Sequence, residues 1–328
     1  MRPGAHRTAP HRFLFWMPVA LFCVCLASCK SAGRVSAEAW TPSDSLRVGT
    51  SMRYLASDDL MGRDTGSPGL DSAAAYLEEN LRQMRIPPYF PSYRDTLTNS
   101  KEIAYNIVAY LPGKDRELKE EIVLIGAHYD HIGLLPMQDG DRIANGANDN
   151  ASGTATVLEL ARFLAGSPRT NRSVLIAFFS AEERGLLGSR HLANRLQQQG
   201  VNLYAVLNFE MTGVPMEGKD HQLYLTGYDM SNLAEVSNRY AGENLVGFLP
   251  QAREYNLFKR SDNYPFYEVF GVPSHTYSTF DFTNYDHYHQ AGDEADEMDF
   301  AHMARLVNAL TRVVYGVANG PAGELKQN

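Results

Sequence analysis

His128 and Asp130 stand one residue apart just after an apolar run at 122–127, in the stretch IVLIGAHYD. Residues two apart on a strand share a face, so the pair can present an imidazole whose second ring nitrogen is held by a carboxylate, an arrangement that suits a metal ligand. Asp149 lies in a Gly/Asn-rich turn, GANDN at 146–150, just before a helical pattern that starts near Ser152. Glu182 and Glu183 follow the apolar run SVLIAFFS at 173–180, and Glu210 ends another at 204–209. Imidazoles with several carboxylates are the donors that borderline divalent metals such as zinc accept.

Two metals sharing one carboxylate account for this number of donors. If Asp149 binds both ions, each needs one histidine and one further carboxylate to reach three protein ligands, which leaves a shared open position for water. Three carboxylates and a hydroxide also balance two dications, as a partly desolvated site requires. Glu182 and Glu183 need separate roles, because adjacent residues leaving a strand project to opposite sides unless the chain turns. One can bind metal while its neighbour takes the proton from the attacking water and passes it to the leaving amine. Taken singly, each residue has an ordinary reading: a satisfied buried histidine at 128, a solvated helix start at 182–183, a helix cap at Asp149.

The elements that must position these groups alternate. Continuous apolar runs at 122–127, 173–180 and 204–209 read as buried strands, separated by helical patterns at 152–164 and from Gly185 to about 199. Strand, helix, strand, helix, strand predicts an α/β fold: one domain with a mixed, largely parallel central sheet and helices on both faces, its site at the carboxyl ends of the strands. Helices are expected at 46–60 and 70–84, with strand candidates at 105–111 and 121–127 as sheet neighbours. Further strands are expected at 222–226 and 273–277, with helices at 230–240 and 299–317. An aromatic-rich loop, FDFTNYDHYH at 280–289, precedes the last helix.

The first 28 residues read as a targeting segment. Arg2, Arg7 and Arg12 precede an apolar stretch at 13–27 that is short for a membrane span, and Leu26-Ala27-Ser28-Cys29 resembles the lipobox of a bacterial lipoprotein signal peptide. The expected organisation is a leader at 1–28, lipidation at Cys29, a flexible spacer at 29–45, the folded domain at 46–317 and a frayed tail at 318–328. Such a chain would be exported and lipid-anchored to a bacterial membrane, on the periplasmic side or at the cell surface. All three cysteines, Cys23, Cys25 and Cys29, fall at the leader or its boundary, so the domain has none left for a disulfide or a thiol nucleophile. Losing three arginines takes the formal charge from -8 to -11, which disfavours nucleic acid as a partner.

Six motifs in order, GAHYDHIG at 126–133, NGANDNASG at 145–153, SAEERGLLGS at 180–189, LNFEMTG at 207–213, RSDNYPF at 260–266 and DHYHQAGDEADEMD at 286–299, resemble those of the M28 family of co-catalytic zinc peptidases. LASDDLMGRDTGSPG at 55–69 is similar to the family's amino-terminal motif. The resemblance implies that His128 and Glu210 bind one zinc, Glu183 and His289 the other, and that Asp149 bridges them. It further implies Glu182 as general base, Asp130 orienting His128, and removal of residues from peptides with a free amino terminus. Cobalt or manganese are alternative metals. Glu210 stands where many members have Asp, and Asn263 where members often have His. Tyr285 and Tyr288 are candidates for a substrate-pocket wall, while His131, His287 and Asp286 read as outer or surface groups. The alternatives are single-zinc glutaminyl cyclisation on a similar scaffold and a binding module on an inactive one. No G-x-S-x-G elbow or HExxH helix is present.

Overall fold

The computed structural model describes residues 41–138 and 140–328. The leader at 1–28, Cys29 and most of the spacer lie outside the described residues.

Asp44 accepts a hydrogen bond from the Arg47 amide and so caps α1 (Ser45–Leu55). Ser67 caps α2 (Pro68–Gln83) in the same way, with proline in the first turn, where no amide is needed. The chain continues through β1 (Arg94–Thr96), β2 (Tyr105–Leu111), β3 (Glu121–His128), the hairpin β4 (Gly133–Gln138) and β5 (Asp141–Ala144), and then α3 (Gly153–Gly166). Next come β6 (Ser173–Phe179), α4 (Leu187–Gln198), β7 (Asn202–Phe209), β8 (Leu223–Leu225) and α5 (Leu233–Ala241). The remainder comprises β9 (Val246–Gly247), α6 (Pro250–Glu254), α7 (Asn263–Phe270), β10 (Ser274–Ser278) and α8 (Phe300–Asn319), the last capped by Asp299.

Eight strands form one sheet in the order β1-β2-β6-β3-β7-β10-β8-β9. The centre, β6-β3-β7-β10, is parallel, and β2 and β8 flank it in antiparallel pairing. Alternate residues of the central strands feed two cores. Val123, Ile125, Val174, Ile176 and Leu207 pack under α1, α2, α3, α5 and α8. Leu124, Leu175, Ala177 and Val206 pack against Leu192 and Leu196 of α4 and Phe266 of α7. Burial on both faces is why these strands read as continuous apolar runs and not as alternation. The mixed, largely parallel sheet with helices on both faces is the expected fold class. Among the described residues no helix is long and apolar enough to cross a membrane.

Four local expectations need correction. Strands β2 and β3 are not neighbours, because β6 lies between them, antiparallel to β2 and parallel to β3. Their connection crosses the start of β6, where Gly113 passes so close to Asn171 and Arg172 that a Cβ would clash with their backbone. The first helix stops at Leu55 and not near residue 60. Ser57 takes an extended backbone, φ -88° and ψ 152°, which breaks the helix, and the short turn that follows leaves through Met61, Gly62 and Arg63 at positive φ.

The tail is not frayed. Arg172 donates to the carbonyls of Val317, Gly320 and Pro321 while pairing with Glu121 and stacking over Tyr204. Glu324 pairs with Arg239 and accepts from Tyr240, and Leu325 is buried. The end of the spacer is likewise ordered, since the Ser43 amide donates to Asn308 and its hydroxyl to Glu159.

Candidate metal centre

Three parallel strands deliver the site from their carboxyl ends. His128 is the last residue of β3, Glu182 and Glu183 lie just past β6, and Glu210 directly follows β7. Ala181 takes φ 57°, which turns the chain so that both glutamates leave β6 toward the site. Asp149 comes from the turn Ala147–Ser152 ahead of α3, and His289, itself at φ 57°, from the loop between β10 and α8.

These five donors meet. His128 Nε2 lies 3.3 Å from Asp149 Oδ1, while His289 Nε2 lies 3.1 Å from Asp149 Oδ2 and 3.4 Å from Glu183 Oε2. Donor atoms of His128, Asp149 and Glu210 all fall within 4.8 Å of one another. The two oxygens of Asp149 thus face the two histidines separately, as a carboxylate shared between two cations must.

A dense shell fixes the donors. Asp293 accepts the amides of Asn148 and Asp149 at 2.7 and 3.1 Å and the Tyr285 hydroxyl at 2.6 Å. Glu210 accepts from the Ser261 hydroxyl, which in turn accepts from Asn208. Asp130 does something other than hold His128 with its carboxylate. That carboxylate is 3.8 Å from His128 Nδ1, whereas the Asp130 main-chain oxygen is 3.2 Å away. The carboxylate instead accepts the amides of Glu182 and Glu183, at 3.1 and 3.4 Å, and anchors the turn that carries them.

Tyr288 stacks on His289, ring centroids 4.0 Å apart, and lines a cavity of about 90 Å³ with Glu210, Met211, Tyr224, Leu257, Phe280 and Arg260. Tyr285 is not on that wall. Its hydroxyl is committed to Asp293, so it braces the Asp149 turn. Asn263 is fully buried and bonded to Phe258, Ser274 and Thr276, a structural tie between α7 and β10 that leaves no side-chain contact for substrate.

Two residues at the centre are not recognisable as such from sequence. Arg63 is buried, and its guanidinium donates to four main-chain carbonyls: Leu55, Tyr129, Asn145 and Gly146. This ties the amino-terminal motif to the end of β3 and to the Asp149 loop. Its signal was only an arginine inside the similar stretch at 55–69. His131, read from sequence as an outer or surface group, is fully buried with Nδ1 3.0 Å from Glu183 Oε1.

Charge determines what the site can hold. Asp130, Asp149, Glu182, Glu183, Glu210, Asp262 and Asp293 converge on one buried guanidinium, that of Arg63, and on the imidazoles. Burial pushes the carboxyls of Glu210 and Asp262 up to about 7 and that of Asp130 up to about 6. Glu182 is pushed well up by burial and by Glu210 and Asp262, against the pull of His128. Burial works against charge on His128, yet Glu182 and Asp149 hold it well above its ordinary range. Such a set is fully ionised at neutral pH only with more positive charge among its members. His128 Nε2 and His289 Nε2 also lack hydrogen-bond partners. Buried unpartnered nitrogens facing carboxylates fit divalent metal ions, in two clusters that share Asp149.

The family model described as peptidase family M28 matches residues 106–314, which include all five donors. Aminopeptidase YwaD of Bacillus subtilis is 33% identical over 192 residues, a match spanning 55% of this chain and 39% of that protein, so this chain covers well under half of its relative. Among solved structures, the fold is similar to BSAP, a zinc aminopeptidase from Bacillus subtilis, at TM-score 0.67 and 16% identity, covering 86% of this chain and 97% of that one. It is also similar to a glutaminyl cyclase from Porphyromonas gingivalis, at TM-score 0.62 and 18% identity, covering 84% and 97%.

Proposed function

Since the chain belongs to peptidase family M28, we propose that it removes amino-terminal residues from peptides, using two zinc ions held by His128 with Glu210 and by Glu183 with His289, with Asp149 between them. The observation that carries this reading is the Asp149 carboxylate, one oxygen facing each histidine. Metal at these positions would supply a Lewis acid for the carbonyl and would make water a nucleophile at neutral pH.

The protein groups do the rest. Glu182, anchored through its amide to Asp130 and half-buried beside Glu210, takes a proton from the attacking water and returns it to the leaving amine. Asp130 keeps the 182–183 turn in place. Tyr288 and Phe280, stacked on each other, wall the cavity next to Glu210, where the first side chain of the peptide is received. Upstream of the described residues, Cys29 would carry a lipid anchor that holds the enzyme on a bacterial membrane outside the cytoplasm.

Glutaminyl cyclases share the fold, so the fold does not select between reactions. Donors for two ions favour hydrolysis over single-metal acyl transfer. The purified chain is expected to release arylamine from aminoacyl arylamides, to lose that activity when chelated and to regain it with Zn²⁺. Conversion of amino-terminal glutamine to its cyclic form without arylamine release would replace this reading with the cyclase.

A further inference from the structure

His131 is the one imidazole at the centre that the five-donor reading leaves without work. Its ring is fully buried, and its Nε2 has no hydrogen-bond partner. Any bond to a metal therefore goes through the other nitrogen, Nδ1, which faces the carboxylates. The polar side-chain contacts of His131 go to the carboxylates of the second cluster: Nδ1 is 3.0 Å from Glu183 Oε1 and 3.8 Å from Asp149 Oδ2. Donor atoms of His131, Asp149 and Glu183 fall within 4.8 Å of one another, as those of the first cluster do. The His289 ring meets it edge to face at 5.6 Å.

The spacings are near those between ligands of one zinc ion. Ligands about 2.0–2.2 Å from zinc stand roughly 3.3–3.6 Å apart at the corners of a tetrahedron. The observed separations are 3.0 Å from His131 Nδ1 to Glu183 Oε1, 3.1 Å from His289 Nε2 to Asp149 Oδ2, 3.4 Å from His289 Nε2 to Glu183 Oε2 and 3.8 Å from His131 Nδ1 to Asp149 Oδ2, so the two imidazoles share one oxygen of Asp149 and take the two oxygens of Glu183 separately. The backbone makes room for this ring. Gly146 sits at φ 59°, and a Cβ there would come within 2.5 Å of His131 Cγ, while the His131 amide donates to the Arg63 carbonyl.

We propose that His131 is a fourth protein ligand of the second metal ion, so that the two positions are unequal. Building on the two-metal reading above, the second position is closed by His131, His289, Asp149 and Glu183. The first, with His128, Asp149 and Glu210, keeps an open coordination place. Four protein donors characterise metal sites that stay filled, and three with an open place characterise those that meet substrate. The second ion is therefore held more tightly, and mild chelation empties the first position first.

The test uses the full chain, purified in detergent and loaded with Zn²⁺. X-ray absorption at the zinc edge is expected to show three imidazoles for two zinc ions; two imidazoles overturn the proposal. Chelator competition then compares the wild type with His131→Ala and with His131→Asn, which keeps an N–H for Glu183 but is a poor zinc donor. Both variants are expected to lose more than about 100-fold in affinity for one zinc, beyond the 10–100-fold that losing an outer partner costs, with the other zinc held within a few-fold. Wild-type affinity in His131→Asn would make the residue a hydrogen-bonding support for Glu183 and end the proposal. A wild-type chain that takes up fewer than two zinc ions in excess metal overturns the two-metal reading itself, a result distinct from two ions and two imidazoles.

Discussion

Glu182→Gln is expected to retain both metal ions and the fold while peptide hydrolysis falls by about 10²–10⁴-fold, the usual contribution of a positioned general base. The substitution changes neither volume nor the amide that donates to Asp130, and Glu182 belongs to neither donor cluster. It removes the ionised oxygen that accepts the proton. Burial and neighbouring acids push this carboxyl well up, opposed by His128, and two nearby dications would bring it back into the range of a working base. Turnover of an aminoacyl arylamide, measured beside zinc content, separates the effects. Unchanged turnover would remove Glu182 as the base, and loss of zinc would make it a ligand.

Arg63→Met is expected to cost at least about 3–5 kcal/mol of stability, the scale seen when one partner of a buried charged network is removed. The guanidinium serves the carbonyls of Leu55, Tyr129, Asn145 and Gly146 at once. Each buried acceptor left unpartnered costs about 1–3 kcal/mol. The charge also matters: burial lowers Arg63 to about 10, with Asp293, Asp130, Asp149 and Glu183 pulling the other way. It therefore stays cationic at neutral pH and offsets the acidic cluster. Arg63→Lys should recover little, because an ammonium cannot span four acceptors in the fork geometry of arginine. Urea unfolding of metal-free protein checks this, and a loss under about 1 kcal/mol would show that these bonds do not hold the loops together.

The legible parts of this fold are those with strong local patterns. β3, β6 and β7 are buried on both faces, so their apolar runs announced them, and the acids and histidine that follow each run had to lie at one edge of a parallel sheet. Sheet order was less accessible, since the antiparallel pairing of β2 with β6 depends on tertiary packing and not on the sequence of either strand. His289 sits in an irregular loop at positive φ, where no periodicity points to it, and motif similarity alone brought it in. Arg63 was not singled out at all, and of the outer or surface reading of His131 the structure keeps the outer half, with Nδ1 on Glu183. Both lie inside the similar stretches at 55–69 and 126–133, but a motif does not say which of its side chains the chain will fold over. The last residues carry no strong local pattern, and the contacts that keep them in place come from distant elements: Arg172 with Gly320 and Pro321, Arg239 and Tyr240 with Glu324.

Every role proposed above requires Asp149 to stand between two metal ions. Crystals grown with Zn²⁺ and measured on both sides of the zinc absorption edge test it most directly. Two anomalous peaks are expected about 3.5–4 Å apart, one beside His128 and Glu210, the other beside Glu183 and His289, each within bonding reach of one Asp149 oxygen. A single peak, or two peaks that do not share Asp149, would contradict that placement.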